Sequence, residues 1–189
     1  MRRRQYLAVG TVLAGSVAGC SGVQGETPLA ADEPIVDDSS AVLPFTADGE
    51  DVFKVQLQKQ FTGDEPRTYY PFFIASWQRD GVSIDSFRLS FRSPPATAAF
   101  VPAGIALREG GHADRATLSR DGEDPSETVV ELPDTTDIGG GSVRVDLLLE
   151  RDDRQVPQEL RIGAVAGLSA DGLFGSDYRA SGELTVEFP

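Results

Sequence analysis

The side chains of this sequence that could do chemistry are carboxylates, one histidine and one cysteine. An imidazole such as His112 can act as a general base when a neighbouring carboxylate, here Asp114, orients it. No Gly-x-Ser-x-Gly nucleophile elbow accompanies it, and its position after two glycines is typical of a surface turn. With so few His, Cys and Met side chains, the composition disfavours copper, structural zinc, haem and Cys–His nucleophilic sites.

Acidic residues cluster in segments that read as loops, and oxygen ligands on loops are what calcium requires. The densest cluster is Asp121, Glu123 and Asp124, which lacks the alternating spacing and distal glutamate of an EF-hand loop. Because a chain with 30 acidic residues forms such groups by composition alone, we expect no metal or other cofactor and keep these three as the calcium candidates. A pair of carboxylates could also hydrolyse glycosides, although Trp77 is the only tryptophan available to stack on sugars.

The charge balance limits the partners. The chain has 17 basic and 30 acidic residues, a net charge of −13, whereas nucleic-acid binding needs clustered Lys and Arg. Only Lys54 and Lys59 are lysines, and asparagine is absent. At molar salt the Debye length falls to about 3 Å, which screens the repulsion among carboxylates. This composition is typical of a halophile.

The first residues predict export. Basic residues precede an apolar run that ends at Cys20 and is too short for the roughly 20 residues of a membrane span. Arg3 and Arg4, followed by Gln5-Tyr6-Leu7, resemble a twin-arginine signal, and Val17, Ala18, Gly19 and Cys20 resemble a lipobox. With the acidic body, the chain resembles an exported lipoprotein of a halophilic archaeon.

The resemblance implies a precise order of segments. Residues 1–19 would be a signal peptide, and Cys20 would become the lipidated N-terminus on the outer face of the cytoplasmic membrane. Residues 20–40 are expected to form a flexible acidic tether, with an edge strand at Pro34-Ile35-Val36 as the alternative. The folded domain is then expected over residues 41–189.

Alternation with a period of two predicts strands through this domain. It is clearest where Phe53, Val55 and Leu57 oppose Lys54, Gln56, Gln58 and Gln60. Pro71–Gln78 and Ile84–Phe91, separated by Arg79-Asp80-Gly81, read as a hairpin. Further strands are expected at 98–107, 115–119, 128–132, 143–149, 160–166 and 184–188. No segment has a sustained helical period.

These strands predict an all-β protein, an antiparallel sandwich of two sheets. Trp77 on an early strand resembles the core tryptophan of immunoglobulin-like domains, although the disulfide that packs against it there is missing. A jelly roll is the alternative, because the sequence does not determine strand order.

Two aromatic groups remain as contact candidates or as plugs of the sandwich ends. One is the run Tyr69-Tyr70-Pro71-Phe72-Phe73. The other, Leu173, Phe174 and Tyr178, lies in a loop expected from Ser169 to Ser181, which we expect to be the contact loop.

The function expected from the sequence is a lipid-anchored, cell-surface binding or structural module without catalysis. Its partners would be the membrane, through the lipid on Cys20, and a surface protein or polysaccharide, but not nucleic acid. The alternative is an extracellular glycoside hydrolase.

Overall fold

The computed structural model describes residues 26–93, 101–120, 127–135, 138, 142–151, 158–170 and 177–189. These residues contain thirteen strands and no α-helix. The strands are β1 (Thr27–Ala30), β2 (Ile35–Val36), β3 (Ser40–Ala47), β4 (Glu50–Lys59), β5 (Tyr69–Gln78), β6 (Val82–Ser93), β7 (Val101–Pro102), β8 (Ile105–Gly111), β9 (Thr117–Ser119), β10 (Thr128–Leu132), β11 (Arg144–Glu150), β12 (Gln158–Ala170) and β13 (Asp177–Phe188).

The strands form two sheets that pack face to face. Sheet A has the order β1-β13-β12-β6-β10-β9, with β7 paired to β6, and sheet B has the order β2-β3-β4-β5-β11-β8. Every pairing is antiparallel except that of β1 with β13. The prediction of a two-sheet antiparallel sandwich is confirmed.

One hydrophobic core fills the space between the sheets, built from the alternate residues of each long strand. Phe53, Val55 and Leu57 of β4 are buried, as the alternation predicted. At one end of the core, Tyr70 and Phe72 of β5 pack against Phe188, and the Tyr70 hydroxyl donates a hydrogen bond to the Pro189 carbonyl. These contacts fix which side of β5 faces inward.

The predicted hairpin is wrong, because β5 and β6 belong to different sheets. In sheet B, β5 lies between β4 and β11, while β6 pairs with β12 and β10 in sheet A. The turn at residues 79–81 therefore carries the chain across the sandwich. Its Arg79 amide donates to the Val52 carbonyl, and the Val82 amide donates to the Arg79 carbonyl.

The N-terminal boundary also needs correction, since two strands lie inside the expected tether. β1 pairs with β13 through Thr27–Ala30 and β2 pairs with β3. Between them, Ala31 bridges to Phe45 and the Asp32 amide donates to the Pro44 carbonyl. The sandwich therefore begins at Thr27, and the alternative of an edge strand at Ile35–Val36 holds.

Two other expectations differ in detail. The strand expected from residue 98 to 107 is divided into β7 in sheet A and β8 in sheet B. The loop expected from Ser169 to Ser181 is shorter, because β12 continues to Ala170 and β13 begins at Asp177. In both cases, pairing with a distant strand decided where the strand ends.

Candidate functional site

An aromatic stripe crosses the outer face of sheet B. It consists of Tyr69, Phe73 and Trp77, which occupy every fourth position of β5 and project away from the core. At about 3.3 Å per residue, neighbouring members are about 13 Å apart along the strand. Pro71 and Ala75 lie between them and form a lower floor. The stripe thus gives the sheet a linear, ridged surface.

The stripe exists because β5 is apolar on both faces. Tyr70, Phe72 and Ile74 face the core and are fully buried, so the alternate residues Tyr69, Phe73 and Trp77 must face outward. Trp77 is 48% exposed and Tyr69 is 51% exposed. The expectation of a core tryptophan is therefore wrong, and the resemblance to immunoglobulin-like domains extends no further than two packed sheets.

Trp77 is held by its neighbour on β4. Lys54 is its cross-strand partner, with the ammonium 5.2 Å from the ring centroid. Lys54 also forms an ion pair with Asp51 at 2.5 Å. This cation–π contact fixes one face of the indole and leaves about half of the side chain open to solvent.

A hollow of about 450 Å³ lies beside Trp77. Ala75 and Gln56 contribute to its lining, and Val42 and Ile35 extend it toward the sheet edge. These four residues lie in one row across the strands, as the register shows. Because Ile35 is 66% exposed, the outer face of sheet B is more apolar at this end than at the opposite end.

A polar network surrounds Phe73, the middle member of the stripe. Arg144 of β11 stacks on the ring at 4.1 Å and binds both carboxylate oxygens of Asp146, at 2.8 and 3.0 Å. Gln60 donates to Asp146 at 3.3 Å and accepts from Arg108 at 2.6 Å. The hydrogen bonds to Asp146 raise the pKa of Arg144 above its usual value. These four hydrogen bonds hold the side chains in one arrangement beside Phe73.

Asp146 is only 5% exposed although it faces outward. The cause is the close approach of β8, where Gly110 has a φ of 132° and a side chain would begin 3.1 Å from the carboxylate. A hollow of about 550 Å³ lies on the outer side of this strand, lined by Arg108, Gly110 and Asp114 among others. Because Gly110 has no side chain, β8 can approach Asp146 closely and cover one side of the network.

His112 has a structural contact at the end of this network. Its Nδ1 accepts a hydrogen bond from the Arg144 amide at 3.1 Å, and its own amide donates to the Arg144 carbonyl. An imidazole nitrogen that accepts this bond is not available to take a substrate proton. His112 therefore ties β8 to the start of β11.

The other predicted site residues are placed as follows. Tyr178 lies in β13 opposite Leu168 and packs partly buried against the core, so it is not in a loop as expected. Leu173 and Phe174, the calcium candidates Asp121, Glu123 and Asp124, and the export residues Arg3, Arg4, Val17, Ala18, Gly19 and Cys20 lie outside the described residues. Within the described ranges, no group of three or more His, Cys, Asp or Glu residues is placed to hold a metal ion.

Tyr69 and Phe73 belong to a run that the sequence offered as a contact candidate or an end plug, and the structure divides it, with Tyr70 and Phe72 in the core. The alignment of Tyr69 and Phe73 with Trp77 was missed, although one signal for it was present. Once Tyr70 and Phe72 are assigned to the core, the alternation places Tyr69, Phe73 and Trp77 together on the opposite face. Lys54, Gln56 and Gln58, which the sequence correctly placed opposite the core, are cross-strand partners of Trp77, Ala75 and Phe73. The two sets of side chains form one surface.

The fold and this surface define an all-β sandwich protein with a polar and aromatic outer face. Residues 28–189 match the model of a family described as a domain of unknown function, DUF8121. Because the match covers most of the sequence, the chain belongs to this family. None of the curated proteins matches the sequence. In the described part of the chain, no helix is long and apolar enough to cross a bilayer.

Proposed function

We propose that this protein is a lipid-anchored cell-surface binding module without catalysis, and that it binds its ligand with the outer face of sheet B. The observation that carries the proposal is the aromatic stripe of Tyr69, Phe73 and Trp77. Tyrosine and tryptophan side chains combine a large apolar ring with a polar group, and both are enriched at binding interfaces. Here they lie on a strand that is paired on both sides, so they form a rigid platform.

The anchor follows from the lipobox resemblance at Cys20. Since β1 begins at Thr27, the connection from Cys20 spans at most about 25 Å even when fully extended. Thr27 lies at the same end of the sandwich as the turn at 79–81, because Thr27 pairs with Tyr178, Tyr178 with Leu168, and Leu168 with Ile84. Trp77 would therefore be the member of the stripe nearest the membrane.

The alternative, glycoside hydrolysis, needs one carboxyl group that gives a proton and a second that attacks the sugar or activates water. On this face Asp146 is held by Arg144 and Gln60. A carboxylate in three hydrogen bonds favours a positioning role, so we prefer binding to catalysis.

Replacing Cys20 tests the anchor. We expect Cys20→Ser to move the protein from the membrane fraction into the medium, as measured by immunoblotting of both fractions. A Cys20→Ser protein that remains in the membrane fraction would contradict the lipid anchor and leave the binding surface to be tested separately.

Cosedimentation of the purified full-length protein, in mild detergent, with isolated cell envelopes tests the binding face. Because Trp77 is the only tryptophan, its fluorescence reports directly on this face, and we expect its emission to shift when envelopes are added. Trp77→Ala should lose binding. Leu118→Ala, which removes an exposed apolar side chain from β9 of sheet A, should retain it. Equal binding by wild type and Trp77→Ala would refute the proposal.

A further inference from the structure

We infer that the ligand is an extended, uncharged polysaccharide that lies along β5; this inference rests on the proposed binding function. The first argument is the shape of the surface. Ridges at Tyr69, Phe73 and Trp77 alternate with the low positions Pro71 and Ala75 over about 26 Å. Such a straight, repeating surface suits a linear polymer, whose sugar rings present C–H faces that pack on aromatic rings.

The second argument is the row of amides beside the stripe. Gln56 and Gln58 on the outer side of β4, and Gln60 just after its end, lie next to Ala75, Phe73 and Pro71. A glutamine amide has two N–H donors and an acceptor oxygen, which match the hydroxyl groups of sugars. Gln58 uses one of its donors on the Ser39 carbonyl at 3.1 Å. Gln56 is exposed, and Gln60 is held by Arg108 and Asp146. Hydrogen-bonding groups thus accompany the aromatic rings along the same line.

The third argument is charge. On this face Lys54 is paired with Asp51, and Arg144 is paired with Asp146. Each of these two pairs is neutral, Arg108 beside them is bound to Gln60, and the chain as a whole carries −13. An anionic polymer would be repelled by the surrounding carboxylates. A neutral polymer is not subject to this repulsion.

The same charges argue against a protein as the ligand. The buried centre of a protein–protein interface is depleted of charged residues, because covering an ion pair with protein removes its remaining hydration. Here Arg144, whose side chain is 43% exposed, stacks on Phe73 at the middle of the stripe, and its exposed N–H groups would lose their water under a protein. Sugar hydroxyls can replace water at these groups bond for bond.

The first experiment measures binding of the full-length protein in mild detergent to soluble polymers by Trp77 fluorescence and affinity electrophoresis. The uncharged probes are hydroxyethylcellulose, galactomannan and soluble starch, and carboxymethylcellulose is an anionic probe with the same backbone as the first. We expect binding to at least one uncharged polymer. In affinity electrophoresis, Tyr69→Ala and Trp77→Ala should each weaken it about tenfold or more, while Leu118→Ala leaves it unchanged. Preference for carboxymethylcellulose over hydroxyethylcellulose would overturn the inference.

The second experiment uses cell envelopes whose vicinal diols have been cleaved with periodate before the protein is added. We expect this treatment to abolish cosedimentation, which would support a polysaccharide ligand even if its repeat unit is absent from the three soluble polymers. Binding that needs Trp77 but survives periodate would overturn the polysaccharide and leave the binding function standing. Binding that does not need Trp77 would overturn both.

Discussion

Arginine side chains lie on the outer faces of both sheets, but their surroundings differ. On sheet A, Arg88 binds Glu127 and Glu131, and Arg92 binds Glu127 at 2.5 Å. Between the strands of that face, small residues meet: a side chain at Gly163 would begin 2.5 Å from the Ser90 hydroxyl. On sheet A, Arg88 and Arg92 are thus occupied by carboxylates, and small residues lie beside them.

Sheet B instead leaves large apolar side chains in contact with water. Among the described residues, the exposed ones are Leu118 in sheet A and Ile35, Val36, Tyr69 and Trp77 in sheet B. Exposing them contributes little to folding, because hydrophobic stabilisation follows the area removed from water. Ion pairs on sheet A therefore contribute to the stability of the fold, whereas sheet B keeps large apolar side chains exposed to solvent.

The largest expected effect is on sheet A. Glu127→Gln removes the charge that two arginines share, and the Glu127 side chain is 8% exposed. We expect a loss of about 2 kcal/mol in the free energy of unfolding, since hydrogen bonds to charged groups contribute about that much. Urea denaturation measures it. Trp77→Ala, as the control on sheet B, should lower the free energy of unfolding by less than about 1 kcal/mol. A larger loss for Trp77→Ala than for Glu127→Gln would contradict the stabilising role of the ion pairs on sheet A.

Arg144→Ala should affect both stability and binding. It leaves the almost buried Asp146 without its cation, so the free energy of unfolding should fall by about 1.5 kcal/mol, and the Phe73 ring loses its stacked guanidinium. Asp146→Ala in the same chain should recover part of the stability, because no unpaired charge remains. A double-mutant cycle by urea denaturation measures the coupling, and strictly additive losses would contradict the pairing.

Lys54→Ala should change the fluorescence of Trp77 more than the free energy of unfolding. The cation–π contact and the exposed ion pair with Asp51 each contribute about 0.5–1 kcal/mol or less. The free energy of unfolding should therefore change little. The indole loses the ammonium that covers one face, and its fluorescence emission should move to longer wavelength. Lys59→Ala is the control, since Lys59 lies over Phe188; an equal shift there would show that the signal is not local.

The smallest effect concerns the turn that places Ile35 at the edge of sheet B. Asp37 accepts hydrogen bonds from the amides and hydroxyls of Ser39 and Ser40. The hydroxyl of Ser40 and the two amides lower its pKa from 3.8 to about 2. Because the folded pKa is below the unfolded one, the stabilisation is present above pH 3.8 and is lost as the pH falls toward 2.

Asp37→Ala should therefore reduce the acid sensitivity of the melting temperature within that pH window. Thermal melts at several pH values measure it, with Asp80→Ala as a control in the exposed turn at residues 79–81. An identical pH dependence for wild type and Asp37→Ala would show that the turn does not titrate as the hydrogen bonds imply.

Much of the fold was predictable from local pattern. The alternation at 53–57, 143–149, 160–166 and 184–188 identified four core strands correctly, because a half-buried strand must alternate apolar and polar side chains. The outward position of Lys54, Gln56 and Gln58 followed from the same pattern, so half of the candidate surface could be read from β4. Charge and composition disfavour nucleic acid as a partner without reference to any fold, and this stays a prediction.

Tertiary structure alone placed Tyr69, Phe73 and Trp77 of β5 on the outer face. β5 is apolar on both faces, so alternation says which residues share a face but not which face meets the core. That choice came from the packing of Tyr70 and Phe72 against Phe188, far along the chain. The assignment of β5 and β6 to different sheets, and of β1 to β13, likewise depends on hydrogen bonds between distant segments. Short sequence patterns carry no record of such pairings, because any extended strand with a suitable face can form them.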